Sequence, residues 1–127
     1  MNLVSDERGK LTFGEEHANL PFAPVRYFMV YDVPIGTVRG GHAHKACHQF
    51  LIAVAGSVMV MTDDGVTRSE VLLDRPDRGL HIPPLVWSEQ RYEGADSRLL
   101  VMASERYDES DYIRDHDDFR SLRGPAR

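Results

Sequence analysis

Three histidines, His42, His44 and His48, lie close together in the segment RGGHAHKACHQ at residues 39–49. Histidine is the side chain whose ordinary pKa lies nearest to neutral pH, and it is also a common metal ligand. A group of this kind predicts one of two sorts of site. It either holds a metal ion or transfers protons to and from a bound molecule.

The spacing of the histidines matters because side chains alternate between the two faces of a β-strand. If residues 41–54 form one strand, all three histidines point to the same face, and Gln49 points to the other. The apolar side chains on the histidine face are Phe50, Ile52 and Val54. An apolar face packs against the core, so we expect the histidines to line the mouth of a barrel interior.

Segments rich in β-branched and aromatic residues follow one another along most of the chain. Gly, Pro and Asp separate them at intervals of about 8–12 residues, a spacing typical of an all-β sandwich or barrel. The predicted strands occupy residues 23–33, 48–56, 57–62, 66–73, 78–84, 86–92 and 97–104, with a turn at 63–65. Only residues 108–122 are predicted to be helical, with Ser110 as the N-cap and Tyr112, Ile113 and Phe119 as the apolar stripe.

The 127 residues are expected to form one domain, residues 1–127, because that length can bury one core but is short for two. Hydrophobic residues make up 42% and charged residues 28%, as in soluble globular proteins. The net charge of −5 argues against a nucleic-acid partner. Neither a membrane-length apolar run nor a signal peptide is evident. With Cys47 as the single cysteine, these features predict a cytoplasmic protein without a membrane partner.

A metal site of the kind found in cupin barrels requires more than a His-x-His pair. Such sites add a glutamate shortly after the pair and a further histidine near a late turn. Here His48 stands at the glutamate position, and Ser88 stands near the position of the late histidine. His81 lies seven residues earlier, on a different predicted strand. We therefore predict no metal and no other cofactor, and proton transfer is the remaining interpretation.

Four segments resemble one known family over about residues 5–119. They are DERGKLTFGEEHANLPFAPVR at 6–26, RGGHAHKACHQFLI at 39–52, GLHIPPLVW at 79–87 and ASERYDESDYIRDHDDF at 103–119. In these segments the chain is similar to the WxcM-like sugar nucleotide 3,4-ketoisomerases. The run Tyr-Asp-Glu-x-Asp-Tyr-Ile-Arg at 107–114 is the most specific part of the resemblance.

The resemblance implies a metal-free cupin, a jelly-roll β-barrel that converts dTDP-4-keto-6-deoxy-D-glucose into the 3-keto sugar. It also implies a homodimer in which N-terminal strands are exchanged between subunits. Two other functions stay open. One is a dTDP-sugar 3,5-epimerase, which is also a metal-free cupin. The other is a non-catalytic sugar-sensing cupin, in which the histidines only form hydrogen bonds with the ligand.

The implied reaction suits the histidines. Moving a carbonyl from C4 to C3 requires removal of the C3 proton, an enediolate intermediate and protonation of C4. Histidine is a suitable general base, and a second donor can stabilise the developing oxyanion. We assign His42 and His44 to catalysis without choosing the primary base, and we expect His48 to orient one of them.

Binding of the nucleotide requires cations and flat rings. Arginine can form two hydrogen bonds with a phosphate, and Arg8, Arg26 and Arg39 lie in the segments that resemble the family. An aromatic ring can stack on thymine. The remaining substrate-binding candidates are Trp87 for this stacking, Glu15 or Glu16 for hydroxyl groups, and His48, His81 and Ser88.

The chain departs from its relatives after Trp87, where they often carry histidine or arginine and this chain carries Ser88. His81 likewise replaces an aromatic hydroxyl. His42 and His44, two residues apart on one strand, should approach the sugar from the same side. Because serine is a poor acid, we expect the proton to leave and return on one face of the ring. That outcome gives the 3-keto-6-deoxy-galactose configuration rather than the gluco one.

Overall fold

The computed structural model describes residues 1–123, and residues 124–127, the end of the predicted domain, lie outside this range. The strands are β1 (Asn2–Asp6), β2 (Gly9–Phe13), β3 (Arg26–Val30), β4 (Val38–His44), β5 (Gln49–Ala55), β6 (Val58–Asp63), β7 (Arg68–Leu73), β8 (Gly79–Ile82), β9 (Trp87–Tyr92), β10 (Arg98–Ala103) and β11 (Tyr112–Ile113). A helix, α1 (His116–Arg123), follows them. No helix within residues 1–123 is long and apolar enough to cross a membrane.

Two antiparallel sheets enclose one apolar core. The four-stranded sheet has the order β3-β10-β5-β8, and the five-stranded sheet has the order β11-β4-β9-β6-β7. Leu51 and Val101 of the first sheet belong to the same buried cluster as Val58 and Tyr92 of the second. Each of the seven predicted strands overlaps one of β3 and β5–β10. The predicted all-β cupin fold with a short C-terminal helix is confirmed.

The predicted single strand at residues 41–54 is wrong. β4 ends at His44, β5 begins at Gln49, and the two strands lie in different sheets. In the intervening turn the backbone N–H of Lys45 donates to the carbonyl oxygen of Asp111. This contact comes from a segment remote in sequence, so local spacing does not reveal it.

The turn interrupts the alternation of side chains along the predicted strand. As a result, the side chains of β5 that were predicted to face the barrel interior point outward, and those predicted to point outward face the interior. Leu51 and Ala53 lie in the core between the sheets, and Gln49 lines the cavity beside it. Phe50 and Ile52 therefore lie on the outer face of the four-stranded sheet. His48, which directly precedes β5, has the same parity as Phe50 rather than the orientation of His42.

A β-bulge in β4 places Arg39 and His42 on the same side of the sheet, although a regular strand would place residues three apart on opposite faces. The register of β4 against β9 shifts between Gly40 and His42. Gly40 has φ 86° and Gly41 has φ 69°, a left-handed backbone conformation that glycine adopts without steric cost. The two glycines thus allow the side chains of Arg39 and His42 to point into the barrel together.

The predicted helix at 108–122 is correct only in its second half. Residues Glu109–Asp111 form a single 3₁₀ turn capped by Asp108, and Ser110 lies within it rather than capping α1. The Asp115 carboxylate accepts hydrogen bonds from the first backbone N–H groups of α1. Between the two, β11 pairs with β4, whose free edge offers backbone hydrogen bonds that compete with helix formation.

The tail is fastened to the barrel by a second apolar cluster under α1. Its buried members are Ala43, Trp87, Ile113 and Phe119. His116, at the start of α1, forms a hydrogen bond with the Asp63 carboxylate at 3.0 Å. These contacts hold residues 108–113 against the end of β4.

The N-terminal hairpin stands apart from both sheets. β1 and β2 pair with each other, and neither pairs with another strand of residues 1–123. Apolar side chains of the hairpin, including Val4 and Leu11, are exposed. An isolated two-stranded hairpin is only marginally stable in water.

Candidate active site

His42 and His44 project from the end of β4 into the barrel mouth. Their ring centroids are 5.1 Å apart, and the ring planes are nearly perpendicular. The Tyr112 ring contacts both, with centroid distances of 5.1 Å to His42 and 4.3 Å to His44. β11 carries Tyr112 opposite His44 in the strand register, so the tail forms one wall of this group.

The Asp111 carboxylate orients His44. The Nδ1 atom of His44 lies 2.9 Å from Oδ2 of Asp111. An ionised carboxylate only accepts hydrogen bonds, so Nδ1 carries the proton and Nε2 is left with a free lone pair. Nε2 is buried and has no hydrogen-bond partner within residues 1–123. An imidazole held in this way by a carboxylate can take up a proton at Nε2.

Asp111 is itself held by the turn between β4 and β5. Its carboxylate accepts hydrogen bonds from the backbone N–H groups of Ala46 at 2.7 Å and Cys47 at 3.3 Å. Burial alone would raise the pKa of Asp111, but these hydrogen bonds and the one from His44 lower it below its ordinary value. Asp111 lies in the 107–114 run. Because residues 108–122 were predicted to be helical, the sequence did not indicate that Asp111 lies beside His44.

Both histidines are neutral at pH 7. Burial, together with the nearby His44 and Arg114, lowers the pKa of His42 from 6.5 to about 4. Burial also lowers the pKa of His44, and the hydrogen bond and charge of Asp111 oppose this shift. A neutral imidazole is the form that can accept a proton, so both rings are ready to act as bases.

A cavity of about 430 Å³, counted to its open mouth, extends from His42 into the barrel. Its lining is divided between the sheets. The four-stranded sheet contributes an apolar wall interrupted by one amide: Phe28, Val30, Gln49, Leu51, Leu99 and Val101. The five-stranded sheet contributes polar groups: Arg39, His42, Gln90 and Tyr92, with Gly40 between them.

Several buried polar atoms around this cavity have no hydrogen-bond partner within residues 1–123. They are Nε of Arg26, both ring nitrogens of His42, Nε2 of His44 and the hydroxyl of Tyr92. Leaving a buried polar group unpaired costs free energy, and folded proteins seldom do so. Their concentration at one cavity indicates a binding site for a polar molecule.

Two arginines lie beside the histidines. The Arg26 guanidinium lies 5.7 Å from the Tyr107 ring centroid. The Arg114 guanidinium lies 4.3 Å from the Tyr112 ring centroid, and its charge is paired with Glu109 through two hydrogen bonds. After burial, the charges of both arginines contribute to the lowered pKa of His44. The charge of Arg26 would attract an anionic group to this region.

The structure brings four more of the predicted site residues to the region of His42. Arg39 lines the cavity, and the Arg26 guanidinium lies 5.5 Å from the ring centroid of Phe28, a residue of the cavity wall. Ser88 is the cross-strand partner of His42 and is buried, and its Oγ accepts a hydrogen bond from Gln90. His44 completes this set.

The structure does not bring the other candidates to the cavity. Nδ1 of His48 is 2.9 Å from Nε2 of His81, and this stacked pair contacts Phe22 on the outer face of the four-stranded sheet. His48 therefore contacts neither of the two cavity histidines. Trp87 is buried under α1 and donates to Glu89, so its ring face is not available for stacking.

Arg8 and Glu15 lie in the N-terminal region, outside the barrel. The Arg8 side chain, 86% exposed, forms an ion pair with Asp6 in the β1–β2 turn. Glu15 and its neighbour Glu16 lie in the exposed turn after β2. Neither lines the cavity of its own chain.

One group of three potential metal ligands occurs within residues 1–123: His44, Cys47 and Asp111, with their ligand atoms within 4.8 Å of one another. The donor chemistry does not favour a cation. The Asp111 oxygens already accept hydrogen bonds from His44 and two backbone N–H groups. Cys47 Sγ donates to the His48 carbonyl oxygen. The group fits an oriented proton acceptor better than a metal centre.

Comparison with known proteins identifies similar chains. Residues 1–124 match the model of the FdtA family, described as WxcM-like, C-terminal. The chain is 41% identical, over 92% of its length and 84% of the relative's, to the TDP-4-oxo-6-deoxy-α-D-glucose-3,4-oxoisomerase of Aneurinibacillus thermoaerophilus.

Solved structures agree with this result. A 3,4-ketoisomerase from Helicobacter canadensis is 37% identical with a TM-score of 0.91, covering 96% of this chain and 92% of that one. The sugar 3,4-ketoisomerase QdtA of Thermoanaerobacterium thermosaccharolyticum, solved in complex with TDP, is also 37% identical with a TM-score of 0.91. That match covers 95% of this chain and 88% of QdtA.

Replacement of Asp111 by Asn tests the orientation of His44. In the wild type at pH 7, nitrogen-15 NMR should detect His44 as the Nδ1–H tautomer. In Asp111→Asn the side-chain amide can donate to Nδ1, so the population should shift towards the Nε2–H tautomer. Asp118→Asn, which removes an exposed carboxylate from α1, is the matched control and should leave His44 unchanged. An unaltered His44 tautomer in Asp111→Asn would contradict the assignment.

Proposed function

The chain belongs to the FdtA family of WxcM-like C-terminal domains, and from that membership we propose its reaction. It is a sugar nucleotide 3,4-ketoisomerase that converts dTDP-4-keto-6-deoxy-D-glucose into the dTDP-linked 3-keto-6-deoxyhexose. The observation that supports this reaction most directly is a pair of neutral histidines, His42 in the cavity wall and His44 beside it, with His44 oriented by the Asp111 carboxylate.

His42 is the proton carrier in this proposal. It lines the cavity, and neither of its ring nitrogens has a hydrogen-bond partner in the described part of the chain, residues 1–123. Its low pKa in the free protein keeps it unprotonated until the substrate binds. The substrate diphosphate is an anion, and a nearby negative charge raises the pKa of a histidine. Binding therefore makes His42 a stronger base when the C3 proton has to be removed.

His44 and Asp111 support the charge that develops in the site. The His44 ring lies edge to face with His42, and the Asp111 carboxylate can stabilise positive charge on it. The ionised carboxylate also keeps the Nε2 atom directed away from the turn. His44 thereby serves as the second acid–base group, which exchanges a proton with an oxygen of the enediolate.

The nucleotide is held by arginines near the histidines. Arg26 and Arg39 are the two predicted phosphate ligands that lie at the cavity, and guanidinium groups bind phosphates through paired hydrogen bonds. The TDP bound in the QdtA structure is consistent with this role. Ser88, the cross-strand partner of His42, is the remaining predicted contact near the sugar.

Arg8 and Glu15, which lie outside the barrel of their own chain, could contact the substrate only in a dimer. We propose a homodimer in which the β1–β2 hairpins are exchanged, so that Arg8 and Glu15 serve the partner's cavity. The exposed apolar side chains of the unpaired hairpin support exchange. So does the outer face of the four-stranded sheet, where Tyr27, Met29 and Tyr31 are exposed. We also propose a cytoplasmic location, where sugar nucleotides are made and used.

The decisive experiment is incubation of the purified protein with dTDP-4-keto-6-deoxyglucose, followed by NMR. A 3-keto product is expected, in the presence as well as the absence of EDTA. His42→Asn and His44→Asn should each lower turnover about 10²–10⁴-fold while circular dichroism shows a folded protein. A product epimerised at C5 would instead identify an epimerase, and an unchanged sugar would identify a sensor. Loss of activity with EDTA and recovery with one divalent ion would refute the metal-free mechanism.

The pH dependence follows from the lowered pKa of His42. A base with a pKa of about 4 in the free protein stays unprotonated at neutral pH and is lost only as the pH falls through about 4. The kcat/KM should therefore remain level from about pH 7.5 down to about pH 5.5, over the range in which circular dichroism shows folded protein. A half-fall near pH 6.5, the ordinary histidine value, would show that the base is not desolvated in this way.

The configuration at C4 follows from the position of acid–base groups on one wall. His42, His44 and Ser88 belong to the five-stranded sheet, and the facing wall offers apolar side chains and the Gln49 amide, none of which donates a proton. Proton removal and return on one face give the galacto configuration. After reduction or amination of the product, H4 should show small couplings to H3 and H5. Large diaxial couplings would mean the gluco product.

The dimer is tested by a charge placed on the outer sheet face. Tyr27→Lys introduces an unpaired charge at an exposed apolar position and should convert the wild-type dimer into monomer in sedimentation experiments. Val66→Lys, at an exposed apolar position in the β6–β7 turn, is the matched control and should remain dimeric. A monomeric wild type, or a dimer that tolerates Tyr27→Lys, would contradict this interface.

A further inference from the structure

The hydroxyl of Tyr92 occupies an unusual position. The residue is fully buried in the core, and its hydroxyl has no hydrogen-bond partner within residues 1–123. Loss of hydration without a compensating hydrogen bond costs free energy. Phenylalanine would fill the same space without that cost. The presence of a hydroxyl here therefore calls for a partner that the folded chain does not supply.

Tyr92 is one of the residues that line the cavity beginning at His42. It lies on the same face of β9 as Ser88 and Gln90, because residues two apart on a strand share a face. Ser88 is the cross-strand partner of His42. Four residues of strand place the Tyr92 backbone about 13 Å beyond Ser88. The Tyr92 side chain thus reaches the cavity from its inner end.

The cavity has polar groups besides Tyr92. Arg39 and Gln90 line it from β4 and β9, and Gln49 lines it from the start of β5 in the four-stranded sheet. The surrounding wall is otherwise apolar. A pyranose ring, such as that of a 6-deoxyhexose, carries C–H groups on its faces and hydroxyl groups around its edge, and it matches this distribution.

The chemistry of the phenol restricts its role. Burial raises the pKa of Tyr92 to about 12, although the charge of Arg39 works in the opposite direction. The hydroxyl therefore keeps its proton at neutral pH and acts as a hydrogen-bond donor rather than as a base. A donor at the inner end of the cavity can bind a sugar oxygen remote from His42.

We propose that the Tyr92 hydroxyl donates a hydrogen bond to an oxygen of the hexose ring or its hydroxyl groups, and so helps to select the sugar half of the substrate. This inference rests on the proposed function and adds a sugar-recognition residue to it. It separates recognition into two parts, with the diphosphate held by arginines and the sugar edge held by Tyr92 at the inner end.

The test compares Tyr92→Phe with the wild type by calorimetry, using dTDP-6-deoxy-D-galactose, which has no keto group to react, and dTDP alone. The variant should bind the sugar nucleotide about tenfold more weakly, the loss expected for one hydrogen bond. Its affinity for dTDP should be unchanged, and its Tm should be equal or higher because an unpaired buried hydroxyl is removed. Ser69→Ala, which removes an exposed hydroxyl from β7, is the control and should change neither affinity.

Two outcomes would overturn the inference. Equal binding of the sugar nucleotide by Tyr92→Phe and the wild type would mean that the hydroxyl serves a buried water or nothing. A lower Tm with weaker binding of both ligands would mean that Tyr92 has a structural role. The proposed function is judged separately by wild-type turnover. An inactive wild type refutes the isomerase, whereas an active wild type with an indifferent Tyr92→Phe refutes only the role of Tyr92.

Discussion

The hydrogen bond between His44 and Asp111 joins parts of the chain that are 67 residues apart, and the site depends on it. The same carboxylate closes the turn that separates β4 from β5, through the backbone N–H groups of Ala46 and Cys47. One partly buried carboxylate therefore stabilises the turn that leads the chain into the other sheet and sets the tautomer of a histidine. The helix α1 and the apolar cluster beneath it fix the backbone of the tail. The Asp111 carboxylate can position the His44 ring because its own backbone is held in this way.

The site retains polar groups that the fold leaves unpaired. Among the described residues 1–123, both ring nitrogens of His42, the Arg26 Nε and the Tyr92 hydroxyl have no hydrogen-bond partner. Each such group costs stability, which the continuous apolar core between the sheets must offset. Burial also lowers the pKa of His42 and raises that of Tyr92, so both are neutral at pH 7. Desolvation thus prepares one ring to accept a proton and the other to donate a hydrogen bond.

The two sheets divide the work of the cavity. The five-stranded sheet, through β4 and β9, supplies the histidines, the arginine and most of the polar side chains, whereas the four-stranded sheet supplies an almost apolar wall. The bulge at Gly40 and Gly41 makes this division possible because it places Arg39 on the same side as His42. A sugar held against such a wall meets acid–base groups on one face only. This asymmetry is the structural basis of the one-sided proton transfer that we propose.

Sequence alone determined the all-β fold, most strand positions and the family, because strand periodicity and the His-x-His and tail motifs are local patterns. It also singled out His42 and His44. It misplaced His48 and Phe50, since a turn fixed by distant Asp111 reverses the faces of the following strand. It treated the tail around Asp111 as a helix, although pairing with the edge of β4 was available only in the folded barrel. The burial of Trp87 under α1 and the position of Tyr92 in the cavity wall were likewise decided by tertiary structure. Both depend on which elements pack together, and the local sequence does not specify this.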